Sequence, residues 1–325
     1  MPDNTCRAII ENMCAITDTM RVRVIAIIFA LLVSLAPTSQ AGQPESLTDV
    51  GSVFGGLHVD ANSSGNVTND LSSLPAIAED YTATWCTNCV KVEHALNDVN
   101  ENRSMQQYHF HRFIGENEDP LGSQETDDRW IERYENRLPP TVVFNGTLRQ
   151  IGSTPAGESL VEDYTANLAN YLDLGQGSST LGWTPVEDSS SGTVVWNLII
   201  EPSMIPENGS IQSSLWIVEK LAYFPDGGNQ EEYYHDSVRT IITLGDALSG
   251  TMDITLPAAY DNDDLEIHLI HEMILPEPEE VEEEEESSED DEAVEVIEDS
   301  MPALGGLAVL SAIGMAALIA QRRQR

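Results

Sequence analysis

The order of element types predicts an α/β domain over residues 48–175, then an all-β sandwich of immunoglobulin-like type over 190–275. An acidic disordered stalk over 276–300 and a transmembrane helix over 302–320 complete the predicted architecture. Three observations carry this reading. Apolar residues between 76 and 172 switch repeatedly between the two-residue period of strands and the helical period. Beyond residue 192 only strand periods remain, and from residue 276 the chain turns almost wholly acidic and then wholly apolar.

Within the first domain, Ile77, Tyr81 and the small Ala76, Ala78 and Ala83 lead as a strand into Trp85. Val90, Val92, Leu96 and Val99 then supply the apolar side of a helix that Asn97 and Asn100 help to end. Residues 108–114 read as a strand, 124–136 as a helix, 141–144 and 147–151 as a hairpin, and 157–172 as a closing helix. Leu160, Val161, Tyr164, Leu168, Tyr171 and Leu172 form the stripe of that last helix. A stretch rich in Gly, Ser and Thr at 175–192 reads as a break between domains. Strands follow at 193–201, 211–224, 238–244, 251–256 and 265–272, separated by Gly, Asn, Asp and Pro.

The chemistry concentrates in Cys86-Thr87-Asn88-Cys89, which follows Trp85 at the predicted junction of strand and helix. Two thiols at this spacing close a small disulfide ring and reopen it. At a helix start, the free N–H groups and the positive end of the macrodipole favour the thiolate of the first cysteine, and the second lies within reach to resolve a mixed disulfide. A zinc half-site and an inert structural disulfide are the competing readings. Zinc needs a second ligand pair, and the chain has no other C-x-x-C.

The run from Glu79 to Cys89 resembles the active-site strand and helix of the thioredoxin-like superfamily, with Asp80 six residues before Cys86 where that family keeps a buried acid. Leu138-Pro139-Pro140-Thr141-Val142-Val143-Phe144-Asn145-Gly146 resembles the family's cis-proline loop and the strand after it. The resemblance covers roughly residues 50–175. It implies a nucleophilic Cys86, a resolving Cys89, Asp80 as proton acceptor for Cys89, and Pro140 as the cis residue facing the disulfide. Trp85, Pro139 and Thr141 would meet the substrate, and no metal or organic cofactor is implied. Two departures matter. Thr87-Asn88 supplies neither a rigid proline nor an imidazolium to set the Cys86 pKa, and Pro139 has no N–H to offer a passing substrate strand.

Both chain ends speak to location. Arg21 and Arg23, an apolar run from Val24 to Leu35 and the small residues up to Ala41 make a secretory signal, so residues 1–41 read as an upstream extension and signal peptide. Its removal would carry off Cys6 and Cys14 and leave Cys86 and Cys89 as the only thiols. At the other end, Pro302 to Ala320 is uncharged and long enough for a bilayer core, and Arg322, Arg323 and Arg325 follow on what would be the cytoplasmic side. The chain therefore reads as a single-pass protein of the cell membrane with its globular domains extracytoplasmic.

Charge narrows the partners. The net charge is −40, and residues 42–275 alone hold 37 acidic against 9 basic residues, so nucleic acid and anionic lipid surfaces are disfavoured. Expected partners are protein disulfides or dithiols and a separate redox protein, since one apolar helix without redox residues cannot carry electrons across a bilayer. The activity these residues predict is thiol–disulfide exchange; the alternative is a stalked surface binding protein on a non-catalytic scaffold. Asp60 to Thr68 has the oxygen spacing of a calcium loop but puts Leu71 where the final carboxylate belongs, and His109 and His111 share one strand face.

Overall fold

The structure, a computed structural model, describes residues 42–102, 104–114, 119–169 and 172–276. In chain order they form β1 (Glu45–Ser46), β2 (Val53–Asp60), β3 (Gly65–Asp70), β4 (Ala76–Thr82), α1 (Cys89–Asn100), β5 (Met105–His111) and α2 (Gln124–Tyr134). These are followed by β6 (Thr141–Phe144), β7 (Leu148–Ile151), α3 (Leu160–Asn167), β8 (Gly177–Pro185), β9 (Ser191–Ile200), β10 (Ser210–Tyr223), β11 (Tyr233–Gly245), β12 (Ser249–Thr255) and β13 (Leu265–Ile274).

The expected fold class, a thioredoxin-like α/β domain followed by a separate immunoglobulin-like sandwich, is overturned. Strands from both predicted domains share one mixed nine-stranded sheet in the order β1-β7-β6-β4-β5-β11-β10-β13-β2, and a second sheet of four follows the order β12-β9-β8-β3. The join is a parallel contact in which Ser237 of β11 lies opposite His109 of β5. Strands β2 and β3, which precede the α/β segment, pair with β13 and β8, which follow it. Among the described residues no helix is long and apolar enough to cross a membrane. The signal peptide with Cys6 and Cys14, the acidic stalk and the helix expected at 302–320 lie outside the described residues.

The physical reason for the shared sheet is visible in β10. Its middle, Leu215-Trp216-Ile217-Val218, is buried on both faces, which an outer strand with one wet face does not require. Ile211, Leu215 and Ile217 join Phe54, Leu57, Leu181, Trp183, Val194, Trp196, Ile267 and Leu269 in the core between the two sheets. Trp216 and Val218 point the other way, into a cluster with Tyr81, Phe110, Trp130, Tyr134 and Val238. Helices α1 and α3 cover a third core through Val92, Leu96, Val99, Leu160, Tyr164 and Leu168, packed on Ala78, Val142 and Phe144.

The break expected at 175–192 is also corrected. Half of it is β8, in which Ser179, Leu181 and Trp183 are buried. Its Gly-rich end is space for a ring: a Cβ on Gly192 would come within 2.3 Å of Trp183. The indole N–H of Trp183 donates to the Ala61 carbonyl at 2.9 Å, fixing the four-stranded sheet to the end of β2.

Two polar devices tie the layers. Arg129 of α2 donates to Glu79 of β4 at 2.6 Å and to Glu272 of β13, and its guanidinium stands over Trp216 at 4.5 Å and Phe110 at 5.0 Å. His271 of β13 joins both sheets, since Ser213 of β10 bonds its Nδ1 at 2.8 Å and Ser179 of β8 its Nε2 at 2.9 Å. Burial lowers the His271 pKa to about 3.

Two outcomes are expected. Arg129→Met leaves buried Glu79 without its cation and Glu272 with Arg133 alone, and lowers stability by about 3–5 kcal/mol. Because the sheet is shared, helix signal and tryptophan fluorescence fall in one transition on urea titration. For His271, the unfolded imidazole takes up a proton near pH 6.5 while the folded one stays neutral to about 3. Stability is therefore lost as pH falls through that window, by up to roughly 1.4 kcal/mol per pH unit. His271→Gln removes that component, and the difference between wild-type and variant urea midpoints at pH 7 and pH 4.5 measures it.

Candidate functional site

Strand β4 is buried from Ile77 to Thr82 and delivers the chain to the cysteines through Ala83-Thr84-Trp85. The Cys86 N–H donates to the Ala83 carbonyl at 2.9 Å and the Cys89 N–H to the Cys86 carbonyl at 3.1 Å, which coils the segment before α1 begins at Cys89. Asn88 makes no side-chain cap, so no side chain at that position claims the first N–H groups of α1. Cys86 and Cys89 form a disulfide. Its two cysteines differ slightly in burial: Cys86 is 8% exposed and Cys89 has no exposure. Thr87 and Asn88, the two residues inside the ring, are exposed, and Trp85 is half-buried beneath the Arg112 guanidinium at 5.1 Å.

The Pro139–Pro140 peptide bond is cis, with Pro140 as its second residue. Thr141 lies opposite Tyr81 in the β4–β6 ladder, so one further step brings Pro140 to the Thr82 end of β4, where the chain leaves for Cys86. Thr141 is buried and its hydroxyl donates to the Leu138 carbonyl at 2.5 Å, while Leu138 itself is 62% exposed. The Pro140 carbonyl is occupied by the Gly152 N–H at 2.9 Å, and Pro139 is half-buried. Register thus gathers Pro139, Pro140 and Thr141 at the sheet end that carries Trp85, Cys86 and Cys89.

Asp80 has no exposure. One carboxylate oxygen, Oδ2, meets His109 Nδ1 at 3.1 Å, directly across the β4–β5 ladder, and the other, Oδ1, has no hydrogen-bond partner among the described residues. Burial raises the Asp80 pKa, and the hydrogen bond and charge of His109 oppose it only in part. Burial acts on His109 in the opposite sense, but the bond and charge of Asp80, with Glu93 and Asp236 beyond, outweigh it and raise the imidazole to about 8. Glu93 of α1 is half-buried and accepts from the Thr82 hydroxyl at 2.6 Å. Donor atoms of Asp80, Glu93 and His109 lie within 4.8 Å of one another, which makes them the residues that could hold a metal ion among those described.

The supports of Thr84 and Trp85 escaped the sequence reading. The Thr84 N–H donates to Asp119 Oδ2 at 2.8 Å, and its carbonyl accepts from the Asn229 N–H at 3.1 Å and the Tyr234 hydroxyl at 3.4 Å. Asp119 in turn meets His111 Nδ1 at 3.0 Å and accepts from the Leu121 N–H, while His111 Nε2 reaches the Ser237 hydroxyl of β11 at 3.3 Å. Burial pushes Asp119 up, but His111 and the N–H groups of Thr84 and Leu121 outweigh it and hold the carboxyl below its usual range. Gly227 and Gly228 let the loop between β10 and β11 lie close. A Cβ on Gly227 would stand 2.4 Å from the Tyr234 hydroxyl and 2.8 Å from the Thr84 carbonyl. The adjoining Gly pair and the shared face of His109 and His111 were the available signals, and neither pointed to Thr84.

No family model matches the chain, and no curated protein matches it. Two similar solved structures are HBP35 of Porphyromonas gingivalis and protein AGR_C_4864 from Agrobacterium tumefaciens. The first is 13% identical, covering 62% of this chain and 73% of that one, with a TM-score of 0.48. The second is 13% identical, covering 62% of this chain and 93% of that one, with a TM-score of 0.36. At these scores neither likeness carries an argument.

Asp119→Ala is expected to strip an acceptor from two backbone N–H groups and a buried imidazole at once, lowering stability by on the order of 3 kcal/mol. Asp119→Asn, which keeps one acceptor oxygen, should recover part of that loss in the same denaturant titration.

Proposed function

We propose that the chain is an extracytoplasmic thiol–disulfide oxidoreductase, exchanging disulfides with protein substrates through Cys86 and Cys89. The observation that supports this most directly is the disulfide of Cys86 and Cys89 at the start of a helix, with Cys86 the less completely buried of the two residues. Cys86, the less completely buried residue, serves as the sulfur a substrate meets, and the enclosed Cys89 resolves. A disulfide serving only to brace the fold would have no need to stand beside exposed Thr87 and Asn88 and half-buried Trp85.

In the reducing direction the Cys86 thiolate attacks one sulfur of a substrate disulfide, and the other substrate sulfur leaves as a thiolate. Cys89 then attacks Cys86, the mixed disulfide breaks, and the second substrate sulfur departs with the electron pair. Two electrons pass from the protein dithiol to the substrate, and a separate redox protein returns the site to its starting state. The opposite direction runs the same steps in reverse. Asp80 serves as proton acceptor for Cys89, and Trp85, Pro139 and Thr141 border the approach of the substrate beside Pro140. The chain is held at the cell membrane with these residues outside.

Purified protein should catalyse reduction of insulin disulfides by dithiothreitol. Cys86→Ser should abolish turnover, and Cys89→Ser should accumulate a mixed disulfide at Cys86 that mass spectrometry detects. Turnover that survives in Cys86→Ser, or absence of turnover in the wild type, counts against the proposal.

A further inference from the structure

Three elements bring unlike donors together: Asp80 from β4, His109 from β5 and Glu93 from the second turn of α1. Parallel pairing sets Asp80 and His109 side by side, with Oδ2 and Nδ1 3.1 Å apart, and a Glu93 oxygen completes a set within 4.8 Å. Two ligands about 2.1 Å from one ion stand about 3.0 Å apart at a right angle and about 3.4 Å apart at the tetrahedral angle. The Asp80–His109 pair is therefore already at ligand spacing. Glu93 is half-buried and bonded to the Thr82 hydroxyl, so the third donor stands where an ion can enter from water.

A second observation points to a ligand. Asp80 has no exposure, yet its Oδ1 meets no donor among the described residues, and an unmade bond to a buried charged oxygen is costly. The Tyr164 hydroxyl of α3, on which the Asp80 charge acts, is likewise buried without a partner among those residues. Positive charge is also short. His109 is the one side chain bonded to Asp80 among the described residues, and a further acid, Asp236 of β11, acts on that imidazole.

We propose that Asp80, Glu93 and His109 bind one divalent transition-metal ion, of which Zn²⁺ suits the set best, as a clamp between α1 and the β4–β5 pair. Calcium and magnesium take oxygen ligands, calcium in larger numbers, whereas Zn²⁺ is held well by three protein ligands of mixed nitrogen and oxygen with water in a fourth position. Its double charge balances both carboxylates, which one hydrogen shared by Asp80 and His109 does not. The ion takes the place of that hydrogen, which leaves to water as a proton.

The test uses full-length protein with the Cys86–Cys89 disulfide intact and Cys6 and Cys14 alkylated, so that no free thiol competes for metal. Equilibrium dialysis against micromolar Zn²⁺, with millimolar Mg²⁺ to fill weak carboxylate sites elsewhere, measures the ions retained. Glu93→Gln, whose amide oxygen still accepts from the Thr82 hydroxyl, should lose one ion or hold it at least about tenfold more weakly, a loss that even an outer partner of a metal ligand causes. Asp80→Asn and His109→Gln should lose the same ion. Zn²⁺ should raise the urea midpoint of wild type and leave that of Glu93→Gln unmoved, since an ion bound only by the folded chain stabilises it. The His109 Nδ1 resonance should shift on Zn²⁺ addition to wild type. Equal retention and equal midpoints in wild type and Glu93→Gln overturn the proposal, as does a His109 resonance that Zn²⁺ leaves in place. Should Asp80→Asn or His109→Gln not fold, Glu93→Gln and the wild-type resonance decide. None of these readouts uses turnover, so the result is independent of exchange at the cysteines.

Discussion

The structure depends on Arg129. Its guanidinium sits 13% exposed between two carboxylates that the chain separates widely, Glu79 on β4 and Glu272 on β13, and it lies over aromatic rings of β5 and β10. Burial disfavours its charge, yet Glu272 and Glu79 outweigh that and raise its pKa. Glu272 answers in kind: burial pushes it up, and Arg129 and Arg133 bring it below the usual carboxylate range. A buried charge is tolerated only when every partner is in place, so the α2 helix can seat here only if β4, β10 and β13 already share a sheet. The ion group therefore specifies the joint more than it adds to net stability.

This use of cations bears on the surface. Arg129, Arg133, Arg149 and Arg239 are all largely enclosed and paired with acids, so four of the nine basic residues in 42–275 do little for the exterior. Glu79, Glu219 and Glu272, the acids three of them pair with, are enclosed as well, so the exterior keeps the strongly acidic balance of the composition. Such a surface repels other acidic chains and favours a medium in which ions screen it.

What the sequence made legible was local. The cysteines lie within four residues, and the strand before and helix after them announce themselves by period, so β4 and α1 match their expected positions closely. The β6 strand and the start of α2 were equally readable. What escaped was set by distant partners. The 175–192 stretch looked like a linker because Gly, Ser and Thr dominate it, although Gly192 of β9 is small to admit the Trp183 ring of β8. The bond between Asp80 and His109 depends on parallel register, which spacing in sequence does not reveal. Nor could Asp119, Asn229 and Tyr234 be assigned to Thr84, since each reaches it from a different loop or strand. The continuous apolar run of β10 was the one missed clue to the shared sheet, because a strand with two dry faces needs a layer on each.

That sharing has a consequence for the cysteines. In a free-standing α/β domain the approach to Cys86 would be held by its own loops alone. Here both backbone groups of Thr84 are held, the N–H by Asp119 and the carbonyl by Asn229 and Tyr234 from the loop and strand after β10. Gly227 and Gly228 bring that loop against Thr84 and Trp85, and Ser237 of β11 reaches His111, which steadies Asp119. The position of Cys86 is accordingly referenced to the β10–β11 hairpin as much as to β4. The 224–232 loop thus bears on Thr84 and Trp85 together, and through Glu231 it also meets His94 of α1 at 3.4 Å. The β-rich half is therefore part of the site's construction, and the exposure of Cys86 is a property of the whole sheet.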